Sequence, residues 1–439
     1  MFYLTYNILS IFLLFPIICY HLYRSVSRGR SPAFAERFGY IHQGKLAKLG
    51  KRPVIWLHAV SVGESLAARP LLRAIRSRYP EHAILISNTT ETGRAIASRF
   101  PEKDLCIYFP FDFLPAVHRA LDCIKPSLVI IMETEIWPNF NREASKRGIP
   151  LMLANGRISD RSFNRYLRFR WFFRHPLQLF SALCMQTETD RERIVAIGAA
   201  PESTLTSGNL KYDIPYRQVG ADEIHTFREQ YGIPDNLTVI CAGSTHPGEE
   251  EYLLRAYHEL LSPTSGLFLV MVPRHPERAG EVAEQIQRAG IRCRRRTQMN
   301  TQEGGVFRSG DVLLIDTVGE LMNLYALSDI VYVGGSLVPT GGHNLLEPAS
   351  LGVPLIYGPY MTNFREIAAL VAHYGAGIRV ETPEALVEAI RILIVSCDLR
   401  RVLGQNGLKM MRDAGGATER HMDVVARHIN TSNLVLHEY

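Results

Sequence analysis

VIWLHAVSVGESLAARPLLRAIRSRYPEHAILISN, residues 54–88, holds two β-rich apolar runs, 54–58 and 83–88, separated by a stretch with helical spacing. Strands joined through a helix run parallel, since a parallel pair needs a long crossover where an antiparallel pair closes in a tight hairpin. The same unit recurs downstream, with further runs at 105–109, 128–132, 151–154 and 183–186, each followed by helical spacing. Runs that are apolar throughout, rather than alternating, predict a parallel sheet covered on both faces. One local irregularity is Pro70, inside the helix of the opening unit, which is expected to bend or weaken the hydrogen-bond ladder without moving the first turn.

The pattern lapses over 208–231, a stretch containing Asp213, Pro215 and Gly220, and resumes with runs at 239–242, 267–272, 312–315, 330–333 and 354–357. The chain is therefore read as α/β, with two Rossmann-like doubly wound domains, 31–215 and 216–439, after an N-terminal segment 1–30. Ligands of open parallel sheets sit beyond the carboxyl ends of the strands, so two such domains are expected to face a cleft with an acceptor side and a donor side. This is the arrangement called GT-B.

Residues 2–23 contain no Lys, Arg, Asp or Glu, and about 20 apolar residues suffice to cross a bilayer. Arg24, Arg28 and Arg30 follow the run, whereas a secretory signal carries its charges before it; the segment reads as an uncleaved anchor with the remainder cytoplasmic. Asn7, Ser10, Pro16 and His21 dilute the stretch, so a helix lying in the membrane interface stands beside a spanning one. A second basic concentration, Arg161, Arg165, Arg168, Arg170 and Arg174, would be drawn to anionic lipid; a solvated helix face is the plainer reading. Although the net charge is +6, no nucleic-acid motif accompanies these arginines, and no nucleic-acid partner is expected. The 7 cysteines form no C-x-x-C pair, which argues against a zinc knuckle or a redox dithiol.

Chemistry-bearing residues gather where strands end. HAVSVGES makes Ser61, Val62 and Gly63 a tight turn with Glu64 opening the next helix. A carboxylate there is held ionised by the helix dipole and suits a base, and it equally suits a cap. In IMETEIWPNF, Glu133 and Glu135 end a buried run; two apart on an extended chain they would share a side, one of them bonding backbone amides. LANGRIS and GNLKYD bring the cations Arg157 and Lys211 to further turns beside Asn155, Gly156 and Gly208. In the second half AGSTHPGEEE, VPRHPER and VGGSLVPTGGHNLLEPASLGVPLIYGP follow strands with loops shaped to admit a ligand. Gly341 and Gly342 before a helix starting near Asn344 are expected to leave amides free for a phosphate, and Glu347 either accepts from ribose hydroxyls or caps. No D-x-D motif appears, so no metal cofactor is expected and leaving-group charge falls to helix ends and Arg274.

HAVSVGE, ETEIWPN, NGRIS, GNLKYD, GSTHPGEE, VPRHPER, GGHNLLEPA and GVPLIYGP stand in the order found in glycosyltransferase family 30, the transferases of 3-deoxy-D-manno-octulosonic acid (Kdo), which the chain resembles over nearly its whole length. The resemblance implies an inverting enzyme of the bacterial inner membrane that moves Kdo from CMP-Kdo to the lipid A precursor, lipid IVA. It implies Glu64 as the base and Glu135 with Lys211 as a transition-state-stabilising pair. For CMP it points to Pro273 and Arg274, then Gly319, Glu320 and Leu321, then Asn344, Leu345, Leu346 and Glu347. The competing readings are another GT-B enzyme using a UDP-sugar and a noncatalytic membrane-associated binding protein.

Overall fold

The computed structural model describes residues 2–28, 32–214, 216–261, 266–299 and 307–435. Arg30 and Pro215, named above in the anchor and the linker, lie outside the described residues. The chain divides into two compact units, Met1–Asp213 with Ala414–Tyr439, and Ile214–Asp413.

The first unit carries β1 (Val54–His58), β2 (Ala83–Asn88), β3 (Leu105–Tyr108), β4 (Pro126–Met132), β5 (Leu151–Gly156), β6 (Ala182–Met185) and β7 (Thr204–Thr206). Their order is β3-β2-β1-β4-β5-β6-β7, every neighbouring pair parallel. The central strands β1, β2 and β5 are buried at every position, as their unbroken apolar runs require. Trp56 anchors one face, with its indole N–H on Ser87 Oγ at 2.7 Å and its ring edge-on to Phe109 and Phe140. Burying a side chain of this kind contributes about 1.5–3 kcal/mol. The sequential order reverses between β1 and β4, and at such a switch point the carboxyl ends of adjacent strands leave a crevice for ligands.

The second unit repeats the architecture with β8 (Thr238–Thr245), β9 (Leu267–Pro273), β10 (Cys293–Arg295), β11 (Val312–Leu314), β12 (Ile330–Val333), β13 (Leu355–Tyr357) and β14 (Gly377–Arg379). The parallel order is β10-β11-β9-β8-β12-β13-β14, with its switch point between β8 and β12. The edge strands β7, β10 and β14 are additions to the sequence reading; each has three residues, too few to show a period.

The C-terminal helix Ala417–Val435 departs from the expected domain 216–439. It packs on the helix Val62–Arg78 and on β4, and Met422, Val425 and Ile429 join the core of the first sheet. Its first turn is held from the first unit: the Asp213 carboxylate accepts from the amides of Gly416, at 2.7 Å, and Thr418. An amphipathic period announces that a helix has an apolar face, not which sheet will bury it. At the other terminus a helix Phe2–Arg28 contains a stretch, Phe2–Tyr20, long and apolar enough to cross a membrane.

Candidate active site

In the first unit the helix Val62–Arg78 begins at Ser61, an extended N-cap whose hydroxyl receives the Glu64 amide at 3.4 Å. Glu64 answers reciprocally: one oxygen accepts the Ser61 hydroxyl at 2.8 Å and the other the Val60 amide at 2.7 Å. The turn is thus a capping box in which the amide of Val60, one residue before the N-cap, takes the place of the N-cap amide, and it fixes the carboxylate beyond the carboxyl end of β1. Burial pushes the Glu64 carboxyl above its ordinary range, opposed by the hydrogen bonds from Val60 and Ser61 and reinforced by the charge of Glu133.

At the end of the adjacent β4 the chain turns sharply. Glu133 adopts φ 54, a left-handed conformation rare outside glycine, while its amide still donates to Ala154 O at 2.8 Å. The extended geometry expected for Glu133 and Glu135 is therefore broken at its first residue. Glu133 Oε1 meets Lys211 Nζ at 3.4 Å, so among the described residues the ion pair of Lys211 is with Glu133 rather than Glu135. Glu135 is pushed up to about 7, by burial first and then by the charges of Glu64 and Glu133. Three carboxylates and a lysine from three separate sequence phrases thus share one electrostatic environment at the β1/β4 switch point.

Lys211 is positioned by a relay of amides. It sits in a single helical turn, Leu210–Tyr212, whose first amide donates to Asn155 Oδ1 at 2.9 Å. The Gln186 side chain links Asn155 O and the Asn209 side chain, both at 3.0 Å. Behind Asn155 stands His421 of the C-terminal helix: its Nδ1 lies 2.7 Å from Ala417 O, which makes Nδ1 the protonated nitrogen and leaves Nε2 to accept the Asn155 amide at 3.0 Å. Burial lowers His421 to about 4, keeping it neutral in this role. Sequence reasoning passed over His421 and Gln186, because each is tied to Asn155 only through the fold. Arg157 is joined to the other side of the site through Thr134, whose hydroxyl donates to Arg157 O and receives the Arg157 amide.

In the second unit the ligand-shaped loops emerge from β8, β9, β11 and β12, neighbours in the sheet. Glu249, fully buried, gathers the amides of His246, Gly335, Ser336 and Leu337 and the Tyr332 hydroxyl at 2.6–3.0 Å, locking the loop after β12 to the loop after β8. Pro273 ends β9, and Arg274 is hung from Thr245 O by its amide at 3.0 Å with its side chain exposed. His246 and His343 bring their Nε2 atoms to 2.9 Å, with His275 edge-on to His246. Burial, then repulsion from His246, Arg274 and His275, lowers His343 to about 4; burial is also the largest influence lowering His246.

Gly341 and Gly342 both take left-handed φ, 101 and 77, and a Cβ on either would collide with Asn363 or Met361. The Gly342 amide is not left free as expected: it donates to Gly335 O at 2.7 Å, because the loop doubles back on itself. Asn344 Nδ2 reaches Glu347 Oε1 at 3.4 Å while its Oδ1 accepts the Leu346 amide, so Asn344, Leu345, Leu346 and Glu347 form one turn opening the helix Leu346–Ser350. Burial raises the Glu347 carboxyl, opposed by Asn344 and by the charge of Arg274. Gly319, Glu320 and Leu321 lie at the start of the helix Leu321–Ala326, and the Glu320 carboxylate is already engaged by Tyr231, Arg296 and Thr317. Burial alone would raise Glu320; those three donors hold it below its ordinary value.

A family model described as 3-deoxy-D-manno-octulosonic-acid transferase (kdotransferase) matches residues 32–214, the span that builds the β1/β4 site. A 3-deoxy-D-manno-octulosonic acid transferase of Haemophilus influenzae is 33% identical over 416 residues, 94% of this chain and 95% of that protein. The chain belongs to the 3-deoxy-D-manno-octulosonic acid transferase family. A second member, from Bordetella pertussis, is 31% identical over 93% of this chain and 96% of its own length. The fold extends further than the family: a UDP-GlcNAc 2-epimerase from Neisseria meningitidis, 15% identical, superimposes with a TM-score of 0.54 over 85% of this chain and all of the epimerase. The GT-B class expected of two doubly wound units agrees with that likeness.

Proposed function

We propose that this protein is an inverting glycosyltransferase that moves Kdo from CMP-Kdo to the lipid A precursor, lipid IVA, in lipopolysaccharide biosynthesis. The observation that carries the reading is the grouping of Glu64, Glu133, Glu135 and Lys211 at the switch point of the first sheet, in a chain of the Kdo transferase family.

Glu64 accepts the proton of the acceptor hydroxyl at a carboxylate oxygen. The acceptor oxygen bonds to the anomeric carbon of Kdo as the bond from that carbon to the phosphate oxygen breaks; CMP leaves with the electron pair and the configuration inverts. A carboxyl raised by burial is a stronger base near neutral pH than an exposed one. The Ser61 hydroxyl and Val60 amide aim it, holding the carboxylate without neutralising it. Glu135 and Lys211 act together on the transition state: Lys211, tethered by Glu133, offsets the carboxylate charge of the incoming sugar acid, and Glu135 responds to the charge on Glu64 as the proton moves.

The second unit is proposed to hold the donor. Pro273 and Arg274, Gly319 to Leu321, and Asn344 to Glu347 are the contacts assigned to CMP. The Glu320 carboxylate, committed to Tyr231 and Arg296, acts by shaping the turn, whereas Arg274 carries the charge that meets the phosphate. The reaction is proposed to need no metal cofactor. The apolar N-terminal helix is read as holding the enzyme at the bacterial inner membrane, catalytic units on the cytoplasmic side. Incubating the detergent-solubilised protein with lipid IVA and CMP-Kdo generated in situ, then weighing the lipid by mass spectrometry, tests the reading. A gain of whole Kdo units is expected; an unchanged lipid beside an active control enzyme would refute it.

A further inference from the structure

One carboxylate oxygen brings two histidines of the second unit together. Glu249 Oε2, in the first turn of the helix Glu249–Leu261, accepts the amide of His246 at 3.0 Å and that of Gly335 at 2.6 Å. Gly335 takes a left-handed φ of 65, and the His343 ring lies so close over it that a Cβ at this position would stand 3.0 Å from His343 Nε2. The loops after β8 and β12 thereby present their imidazoles to each other, the rings 13° from parallel and the two Nε2 atoms 2.9 Å apart. Two ring nitrogens at that separation form an N–H···N hydrogen bond, in which one carries the proton and the other offers its lone pair. Two facing lone pairs, or two facing N–H groups, would repel. The neutral pair therefore holds a single proton in the contact.

Charges of both signs face this pair. Arg274 and His275, from the loop after β9, oppose a further proton; Glu249 and Glu250, from the helix behind, favour one. Both carboxylates are already engaged. Glu249 gathers backbone amides and the Tyr332 hydroxyl, and Glu250 Oε1 accepts the Thr245 hydroxyl and the Arg278 guanidinium, each at 2.9 Å. Burial adds to the repulsion, so both imidazoles lie below their ordinary value in the free protein. An anion set against Arg274 reverses that balance, because it offsets the guanidinium and attracts a proton to the imidazoles beside it. The phosphate of CMP-Kdo carries one negative charge, and a second develops on the oxygen that departs from the anomeric carbon. The demand for a proton at the pair grows as that bond breaks.

We propose that the hydrogen-bonded pair His246–His343 takes up a proton when the nucleotide phosphate binds and passes it to the departing phosphate oxygen. The bond from the anomeric carbon breaks with its electron pair on that oxygen, the proton follows from the imidazole nitrogen, and the pair returns to its neutral, singly bridged state. CMP leaves as the monoanion and, with a second phosphate pKa of about 6, releases the proton to solvent. This rests on the reading of the second unit as the holder of the donor. The test is calorimetric titration of the full chain with CMP at pH 7.0, in buffers of low and high ionisation enthalpy, which counts the protons exchanged on binding. About nine-tenths of free CMP is already the dianion at that pH, so it mimics the leaving group. A net uptake of about half a proton per CMP is expected, falling below about a tenth in His246→Gln and in His343→Gln. Turnover of both variants should be about 10²-fold lower, and the wild-type fall in turnover above neutral pH should be missing from them. Spectra of the wild type labelled with ¹⁵N-histidine supply a readout that needs no variant: with CMP, two imidazoles should protonate as pH falls through neutral, and without it they should stay neutral. CMP binding with no proton uptake, or uptake that survives in both variants, would overturn the proposal. Uptake lost with turnover unchanged would overturn the transfer to the leaving oxygen, whereas a wild type that binds no CMP would overturn the donor reading itself.

Discussion

At the carboxyl ends of β1 and β4 the titratable side chains are carboxylates raised by burial, Glu64 and Glu135; at the ends of β8 and β12 they are imidazoles lowered by burial, His246 and His343, with Arg274 beside them. The same parallel-sheet crevice has been furnished in opposite senses. Burial disfavours charge in both places, yet raising an acid makes a proton acceptor matched to neutral pH, whereas lowering histidines leaves neutral imidazoles beside a permanent guanidinium. The contrast suits one unit to taking a proton and the other to holding an anion. It also says which property each substitution should change: turnover in the first unit, nucleotide affinity in the second.

The largest effect is expected from Glu64→Gln, which keeps the hydrogen-bonded shape of the capping box and removes the base. Turnover should fall by about 10²–10⁴-fold, measured with saturating donor and acceptor, while the CMP affinity from calorimetry stays within twofold. Next, Arg274→Ala should weaken CMP binding by roughly 10–100-fold, the worth of about 1.5–3 kcal/mol for a hydrogen bond to a charged group, with turnover at saturating donor much less affected. Should Arg274→Ala act on turnover alone, the division between the units would be wrong.

A smaller change is expected at a distance. His421→Ala leaves the Asn155 amide without its acceptor, a loss of about 1–3 kcal/mol, and loosens the relay that places Lys211. Turnover about tenfold lower and a lower melting temperature are expected, with CMP affinity unchanged; a change in CMP affinity would contradict the relay. The mildest signature is a pH dependence. Because Glu135 is raised to about 7 in the folded protein, the native state binds a proton that the unfolded chain has already lost, and stability falls as pH rises from the ordinary carboxylate range through 7. Glu135→Gln should flatten that slope in melting temperatures recorded between pH 5 and 8; an unchanged slope would place its origin elsewhere.

The two regions differ also in how much of them the sequence disclosed. Central strands such as β1 and β12 were legible because burial on both faces demands unbroken apolar runs, and Glu64, Lys211 and Arg274 were legible because they sit in turns where such runs stop. The left-handed turn at Glu133 was not, since nothing in Met-Glu-Thr-Glu marks a residue that gives up extended geometry to reach Lys211. The return of the helix Ala417–Val435 to the first unit was hidden for a different reason: His421 and Asn155 are 266 residues apart, and only the folded chain brings them together. The free amide anticipated at Gly342 failed because a glycine permits close backbone approach without saying whether ligand or protein makes it; here Gly335 O does.

Hydrogen–deuterium exchange of the full chain, with and without saturating CMP, tests the division of labour most directly. Protection confined to the peptides covering Pro273–Arg274, Gly319–Leu321 and Asn344–Glu347, with Ser61–Glu64, Glu133–Glu135 and Lys211 unchanged, is the predicted result. Protection centred on Glu64 and Lys211, with the second unit unaffected, would contradict it.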